Sequence, residues 1–272
     1  MSARRISLVA LHVFKESVRD RVLYAIAGFA LLLVSASAVI GQITAGQDVK
    51  IMKDLGLVTI EMAGVLMTVF IGVGLVSREI DRRSIYGLLA KPLARWEFIV
   101  GKYLGLVLTI FVNVALMTAA FFVMMAWMQW TSPESVRLSW DVPAVDPHLL
   151  IAIALISAEL ALLTAIALFF STFSSSALLS IVFTVGFFVV GLESKDLRNF
   201  DQIVASSPIV IWLVTAIGWL VPAFSEFDKK AEIVHGLSVP MQFVVLRLIY
   251  AAVYSSVAVG AAIWSFSRRE FK

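Results

Sequence analysis

The chain has 272 residues, a net charge of +3, 60% apolar residues and only 15% charged ones, whereas soluble domains run near 45–50% apolar and about 25% charged. With a mean hydropathy of +0.94, it has too little charge to cover a soluble surface, and that charge lies in clusters between apolar runs of membrane-spanning length. The absence of cysteine excludes disulfides, thiolate metal sites and a cysteine nucleophile, and His12, His148 and His235 are too scattered for a metal cluster; the basic residues sit at the ends of apolar runs, where they anchor a membrane protein rather than bind nucleic acid.

In chain order, residues 4–21 come first. Ile6, Val9, Ala10, Val13 and Ser17 share one helical face, while Arg5, His12, Lys15 and Arg19 lie largely elsewhere. The pattern predicts a basic amphipathic helix in the inner headgroup layer, serving either as a topological anchor or as a lever coupled to a cytoplasmic partner. A first span follows near 22–41. Ala36-Ser37-Ala38 imitates a signal-peptide cleavage site, but the apolar run continues to Ile40 and the leading stretch holds Glu16 and Asp20, which suits a retained helix.

The second span is expected near 57–76, and the chain leaves it through Arg78, Glu79, Asp81, Arg82 and Arg83. IleTyrGlyLeuLeuAla, containing Tyr86, then leads to Lys91-Pro92 and Arg95. Pro92 has no amide to donate and biases Lys91 away from helical geometry, so a short cytoplasmic helix should end there. Glu79 and Arg83 at i,i+4 add only a few tenths of a kcal/mol to an exposed helix. A short charged helix between two spans is a shape that docks into a groove on a soluble partner.

Further spans are expected near 99–127, 149–170, 177–192 and 241–266. Between Pro208 and Pro222 lie 13 apolar residues, too few to span at about 1.5 Å per residue, so 208–222 reads as a re-entrant or interfacial segment. With six spans, the N-terminus, 77–98, 171–176 and the C-terminus share a side holding 14 Lys/Arg and 6 Asp/Glu, against 7 and 11 on the other. The positive-inside rule makes the first side cytoplasmic. The fold expected is therefore an all-α membrane protein, one domain over 1–272 with six transmembrane helices. To these are added the N-terminal amphipathic helix, a cytoplasmic coupling helix and extracytoplasmic re-entrant or gate helices before the last span.

Polar residues inside spans are few. Glu159 lies near the middle of the fourth span, Glu61 in the outer part of the second, Asn113 midway along the third and Arg247 in the outer part of the sixth. A mid-membrane carboxylate is costly unless paired, protonated or wet, so Glu159, Asn113 and Glu61 are pathway candidates. The structural alternative pairs Glu61 with Arg247 or bonds Glu159 to a neighbouring helix. Trp127, Trp130 and Trp140 form an aromatic belt at the outer boundary. No Ser-His-Asp arrangement is readable, and no catalytic or metal residues are assigned. Gly101-Lys102 is not a phosphate loop, because Trp96 and Tyr103 stand where such a loop needs Gly and Ser or Thr.

The stretch SREIDRRSIYGLLAKPLARWEFIVGKYLG (77–105), preceded by VFKESVRDRVLYAIAGFALLL, resembles the permease subunits of type-2 ABC transporters, most closely the group labelled multicopper enzyme maturation. Glu79 matches the family's acidic residue after the second span. Lys91, Pro92, Leu93 and Arg95 match its Lys-Pro-Leu-x-Arg turn, and Gly101-Lys102 the opening of its third span. LVPAFSEFDKKAEIVHG (220–236) looks like its Leu-x-Pro-x-Phe-x-x-Phe-Asp segment. The resemblance covers nearly the whole chain.

It implies a permease of the bacterial-type cytoplasmic membrane, with both termini cytoplasmic. Such a chain pairs with a second copy or a homologue and sits on two ABC ATPase subunits. ATP and Mg would be bound by those partners, leaving this chain without cofactor or enzymatic activity. Segment 78–90 would be the coupling helix, with Arg78, Glu79, Asp81, Arg82, Arg83, Tyr86, Lys91, Pro92 and Arg95 facing the ATPase. The short outer helices within 193–240 would gate the exit, with Pro222, Phe224, Phe227 and Asp228 as gate candidates. The resemblance leaves the substrate open, and no His, Met or Cys cluster supports a copper site. Two alternatives stand beside an exporter: a secondary transporter or channel using Glu159, and a mechanotransmission or assembly complex for envelope proteins with a periplasmic partner bound at 193–240.

Overall fold

The computed structural model describes residues 2–43, 48–81, 94–138, 140–174, 176–200 and 207–268. The described residues are helical, with no strand among them. The helices are α1 (Ser2–Val18), α2 (Arg21–Ile43), α3 (Asp48–Asp81), α4 (Arg95–Thr131), α5 (Glu134–Arg137), α6 (Leu149–Phe173), α7 (Ala177–Leu192), α8 (Ser194–Arg198), α9 (Pro208–Leu220), α10 (Lys230–Val234) and α11 (Met241–Arg268), with a 3-10 turn at Phe224–Glu226. Val49–Gly74 within α3, α4, α6 and α11 are each long and apolar enough to cross a membrane. Arg21–Ala36 and α7 are shorter apolar helices, and α9 with the segment Phe224–Val234 forms a pair bent by 54°.

The helix that carries the expected second span extends past it at both ends, while its apolar stretch runs over Val49–Gly74. Val49, Met52, Lys53, Gly56, Leu57 and Ile60 repeat at helical spacing and are buried, which carries α3 back to Asp48. At the other end α3 runs unbroken to Asp81, so Arg78, Glu79 and Asp81 extend the span helix rather than open a separate short one. No proline interrupts the chain there. Arg82, Arg83, Tyr86, Lys91 and Pro92 lie outside the described residues.

Apolar on all sides, α6 is the central helix and touches α3, α4, α7, α10 and α11. Its approach to α3 is close: a Cβ on Gly64 would stand 2.3 Å from Leu160 Cδ1. Two ends of the bundle can be told apart by their contacts. At one, Arg95 donates to the Ser267 carbonyl at 2.7 Å and Phe98 stacks on Phe266, joining the start of α4 to the end of α11. At the other, Lys53 meets Asp146, joining the start of α3 to the approach of α6.

Helix α1 belongs to the first end. Its face of Ile6, Val9, Ala10, Val13 and Ser17, expected against lipid headgroups, is laid on α4 instead. Glycine makes this seat possible: a Cβ at Gly105 would come 2.6 Å from the Ala10 carbonyl oxygen, and one at Gly101 2.7 Å from Val9 Cβ. Arg5 joins the contact, 3.7 Å from the buried Glu97, whose Oε2 also accepts the Ala94 amide that opens α4. Asp20 caps α2 by accepting the Val22 amide, which fixes the turn out of α1.

Gly105→Val should therefore destabilise the chain by about 1–3 kcal/mol through overpacking against α1. Gly28→Ala, where an added Cβ meets nothing within 4 Å, should leave stability unchanged or slightly raised. Reversible unfolding in mixed micelles measures both, and equal effects would contradict the α1 seat.

Candidate functional site

The residues 221–236 form a cap over the end of the bundle where α7 finishes and α11 begins. Phe224 is fully buried against Phe188 at 5.0 Å between ring centroids, and it lies so close to Gly191 that a Cβ there would overlap it. The Ala223 amide donates to the Tyr250 hydroxyl at 3.0 Å, and Phe227 packs on the same ring. Glu226 bridges two elements, accepting Arg247 of α11 at 2.7 Å and meeting Lys195 of α8 at 3.1 Å. Gly236, at φ +75°, closes α10: its own amide reaches Ile233 and the Leu237 amide reaches Glu232, a hydrogen-bonded stop that needs the left-handed conformation.

Lys230 is the deepest charge of this cap. It is buried, and its ammonium bonds Glu61 of α3 and lies 3.2 Å from Asp228. Because α3 starts at Asp48, Glu61 stands near the middle of Val49–Gly74 rather than in the outer part of its span. Glu159 is only 2% exposed on the central helix, within the electrostatic reach of Glu61, Lys230 and Asp228. Its Oε1 has no hydrogen-bond partner among the described residues. Two carboxylates thus share one ammonium where α3 and the cap meet, with Glu159 of α6 nearby and outside that hydrogen-bonded group.

The pairing of Glu61 with Arg247, weighed from their similar depth, does not form: Arg247 goes to Glu226 and Glu61 to Lys230. Asn113 is buried too, but it donates to the Thr109 carbonyl at 2.8 Å within its own helix and has no bond to the carboxylates. Of the gate candidates, Pro222, Phe224 and Phe227 are buried parts of the cap, while Asp228 is exposed. Arg95, expected to face a partner, is turned onto the end of α11. Lys230 escaped the sequence reading because it lies in a polar stretch 169 residues from Glu61. The signal was the carboxylate itself, which is costly in an apolar bundle and is relieved by a cation.

A second buried charge was also missed. Lys53 is fully buried, 3.6 Å from Asp146, and the Asp146 carboxylate accepts the His148 amide at 2.9 Å while facing its ring Nδ1 at the same distance. Burial alone would raise the Asp146 carboxyl. The His148 hydrogen bonds and the Lys53 charge outweigh it and hold the group below the ordinary carboxylate range. Nearer the surface, the Lys50 ammonium does the same for Asp141. Among the described residues no group of His, Asp or Glu is arranged to hold a metal ion.

No protein-family model matches the chain, and no curated protein matches it.

A carboxyl whose folded-state affinity for protons is depressed contributes stability above the ordinary aspartate range, and that contribution is lost as pH falls through the lower folded value. Asp146→Asn should therefore lower the melting temperature at neutral pH. The gap from wild type should close as pH drops from about 5 to about 3. A gap that persists or widens on acidification would contradict the Asp146 network.

Proposed function

We propose that this chain is the membrane-spanning permease subunit of an ATP-driven exporter, with six spans, both termini cytoplasmic and no catalysis of its own. It would form the translocation pathway with a second permease and couple through the loop 77–98 to two separate ATPase subunits that bind ATP and Mg. The sequence resemblance over 77–105 and 220–236 supports the family. The geometry that carries the coupling role is the length of the two helices flanking 82–93. α3 has 34 residues and α4 has 37, or about 51 and 55 Å at 1.5 Å per residue, against a hydrocarbon core of about 30 Å.

α3 runs on from Gly74, the end of its apolar stretch, to Asp81, which supports a helix that extends past the membrane toward a soluble partner. α1 is packed on the base of α4, so force applied at the loop reaches the N-terminal helix as well. The opposite end supports a closed exit: the buried Phe224 and Phe227 and the bonded Lys230 hold residues 221–236 over the bundle. ATP binding would draw the ATPases together, move the loops and release the cap. α9, with 13 residues, is about 20 Å long, too short to cross by itself, and is read as a re-entrant or interfacial helix.

The test is coupling. In a complex reconstituted with its ATPase, Glu79→Arg or deletion of 84–90 should remove stimulation of ATP hydrolysis at least about tenfold, a loss of about 1.4 kcal/mol in coupling. Membrane insertion should be normal in both. Full stimulation in both variants would refute the role of the loop.

A further inference from the structure

The cluster at the base of the cap holds more carboxylate than cation. Glu61 and Asp228 bond the Lys230 ammonium, and Glu159 on the adjoining helix lies within electrostatic reach of all three. Asp228 is exposed, so water answers its charge, whereas Glu159 is 2% exposed with Oε1 bonded to nothing among the described residues. A buried carboxyl oxygen with no hydrogen-bond partner, beside a second buried carboxylate, is complementary to a donor that carries positive charge. A metal ion is not favoured, since no described group of His, Asp or Glu has a metal-holding arrangement.

The occupying ammonium is delivered by the cap and not by a bundle helix. Pro222 of the same cap segment lines a partly open apolar cavity of about 330 Å³ beside α6, together with Leu162, Ile166, Phe170, Phe187 and Tyr254. One segment therefore meets an acidic site with its lysine and an apolar cavity with its proline. The two are complementary to a molecule with an ammonium head and a hydrocarbon body.

We propose that Glu61 and Glu159 form an intramembrane site for the ammonium group of an amphiphilic amine, and that Lys230 is its built-in occupant. The lysine holds the site closed until the cap lifts, at which point the two carboxylates take the amine in its place. The inference rests on the reading that this chain lines a transport pathway, and it names the chemical class of the substrate. The apparent affinity for an outside amine is reduced by the fraction of time the lysine leaves the site free.

Binding of radiolabelled octylamine to the full chain in phosphatidylcholine nanodiscs, corrected for empty discs, tests this without any ATPase. Lys230→Met should bind at least about tenfold more tightly than wild type, since an occupant present nine-tenths of the time masks about that much affinity. Lys230→Met/Glu159→Gln should lose the gain. If Lys230→Met does not assemble, wild type is compared with Glu159→Gln: wild type should prefer octylamine to octanol, and the variant should bind both alike. No gain in Lys230→Met, or unchanged amine preference in Glu159→Gln, would overturn the site. Because the chain is assayed alone, failure to bind amine leaves the ATPase coupling standing, and failure to couple leaves the amine site standing.

Discussion

A carboxylate in the middle of an apolar helix bundle is costly unless it is paired, protonated or wet, and Glu61 is paired, with a cation from 169 residues away in the chain. The Lys230–Glu61 pair is the interaction on which the upper half of the structure depends. Leaving either charge alone in the bundle would cost several kcal/mol, so the cap cannot move without something replacing the ammonium. The apolar contacts of Phe224 and Phe227, the Tyr250 hydrogen bond and the Glu226 bridge to Lys195 and Arg247 hold the cap in the register that delivers the lysine. The glycine-permitted contact of α3 with α6 at Gly64 and Leu160, about a turn away, keeps Glu61 and Glu159 close to one another.

The same helix that carries Glu61 ends at Asp81, at the edge of the loop proposed to meet the ATPase. About 30 Å of continuous α-helix separates the two, and an unbroken helix transmits displacement as a rod. At the loop end, α1 is keyed into the glycines of α4, while Arg95 and Phe98 tie α4 to the end of α11. The two ends are thus built differently: helices packed over glycine with the Arg5–Glu97 pair below, and ion pairs around Lys53, Lys230 and Glu226 above. In the proposed cycle the lower end receives force and the upper end changes partners.

The bundle was legible because hydropathy is a sum over many residues. The apolar stretch at 177–192 coincides with α7, a helix shorter than a span, and the spans expected near 149–170 and 241–266 fall within the span-length helices α6 and α11. The face of α1 was read correctly from helical spacing, although what covers it is α4 rather than lipid, because tertiary packing at Gly101 and Gly105 has no signature in periodicity. The start of α3 was missed because Lys50, Lys53 and Asp54 lower local hydropathy, yet Lys53 is buried against Asp146. Glu61 and Glu159 were found from the cost of intramembrane charge. Their partner was not: Arg247 was the cation nearest in depth, while Lys230 arrives by way of the 54° bend after α9 and the turn at Phe224–Glu226. Pairwise ion matching across a fold needs the fold.

The central claim is that this chain works as the membrane half of an ATP-driven complex. The most direct measurement is purification of the tagged chain from its native membrane in mild detergent, with identification and counting of the proteins that accompany it. The account predicts an ATPase carrying a phosphate-binding loop, at one copy per permease. A chain recovered alone, under conditions that keep other such complexes whole, would contradict it.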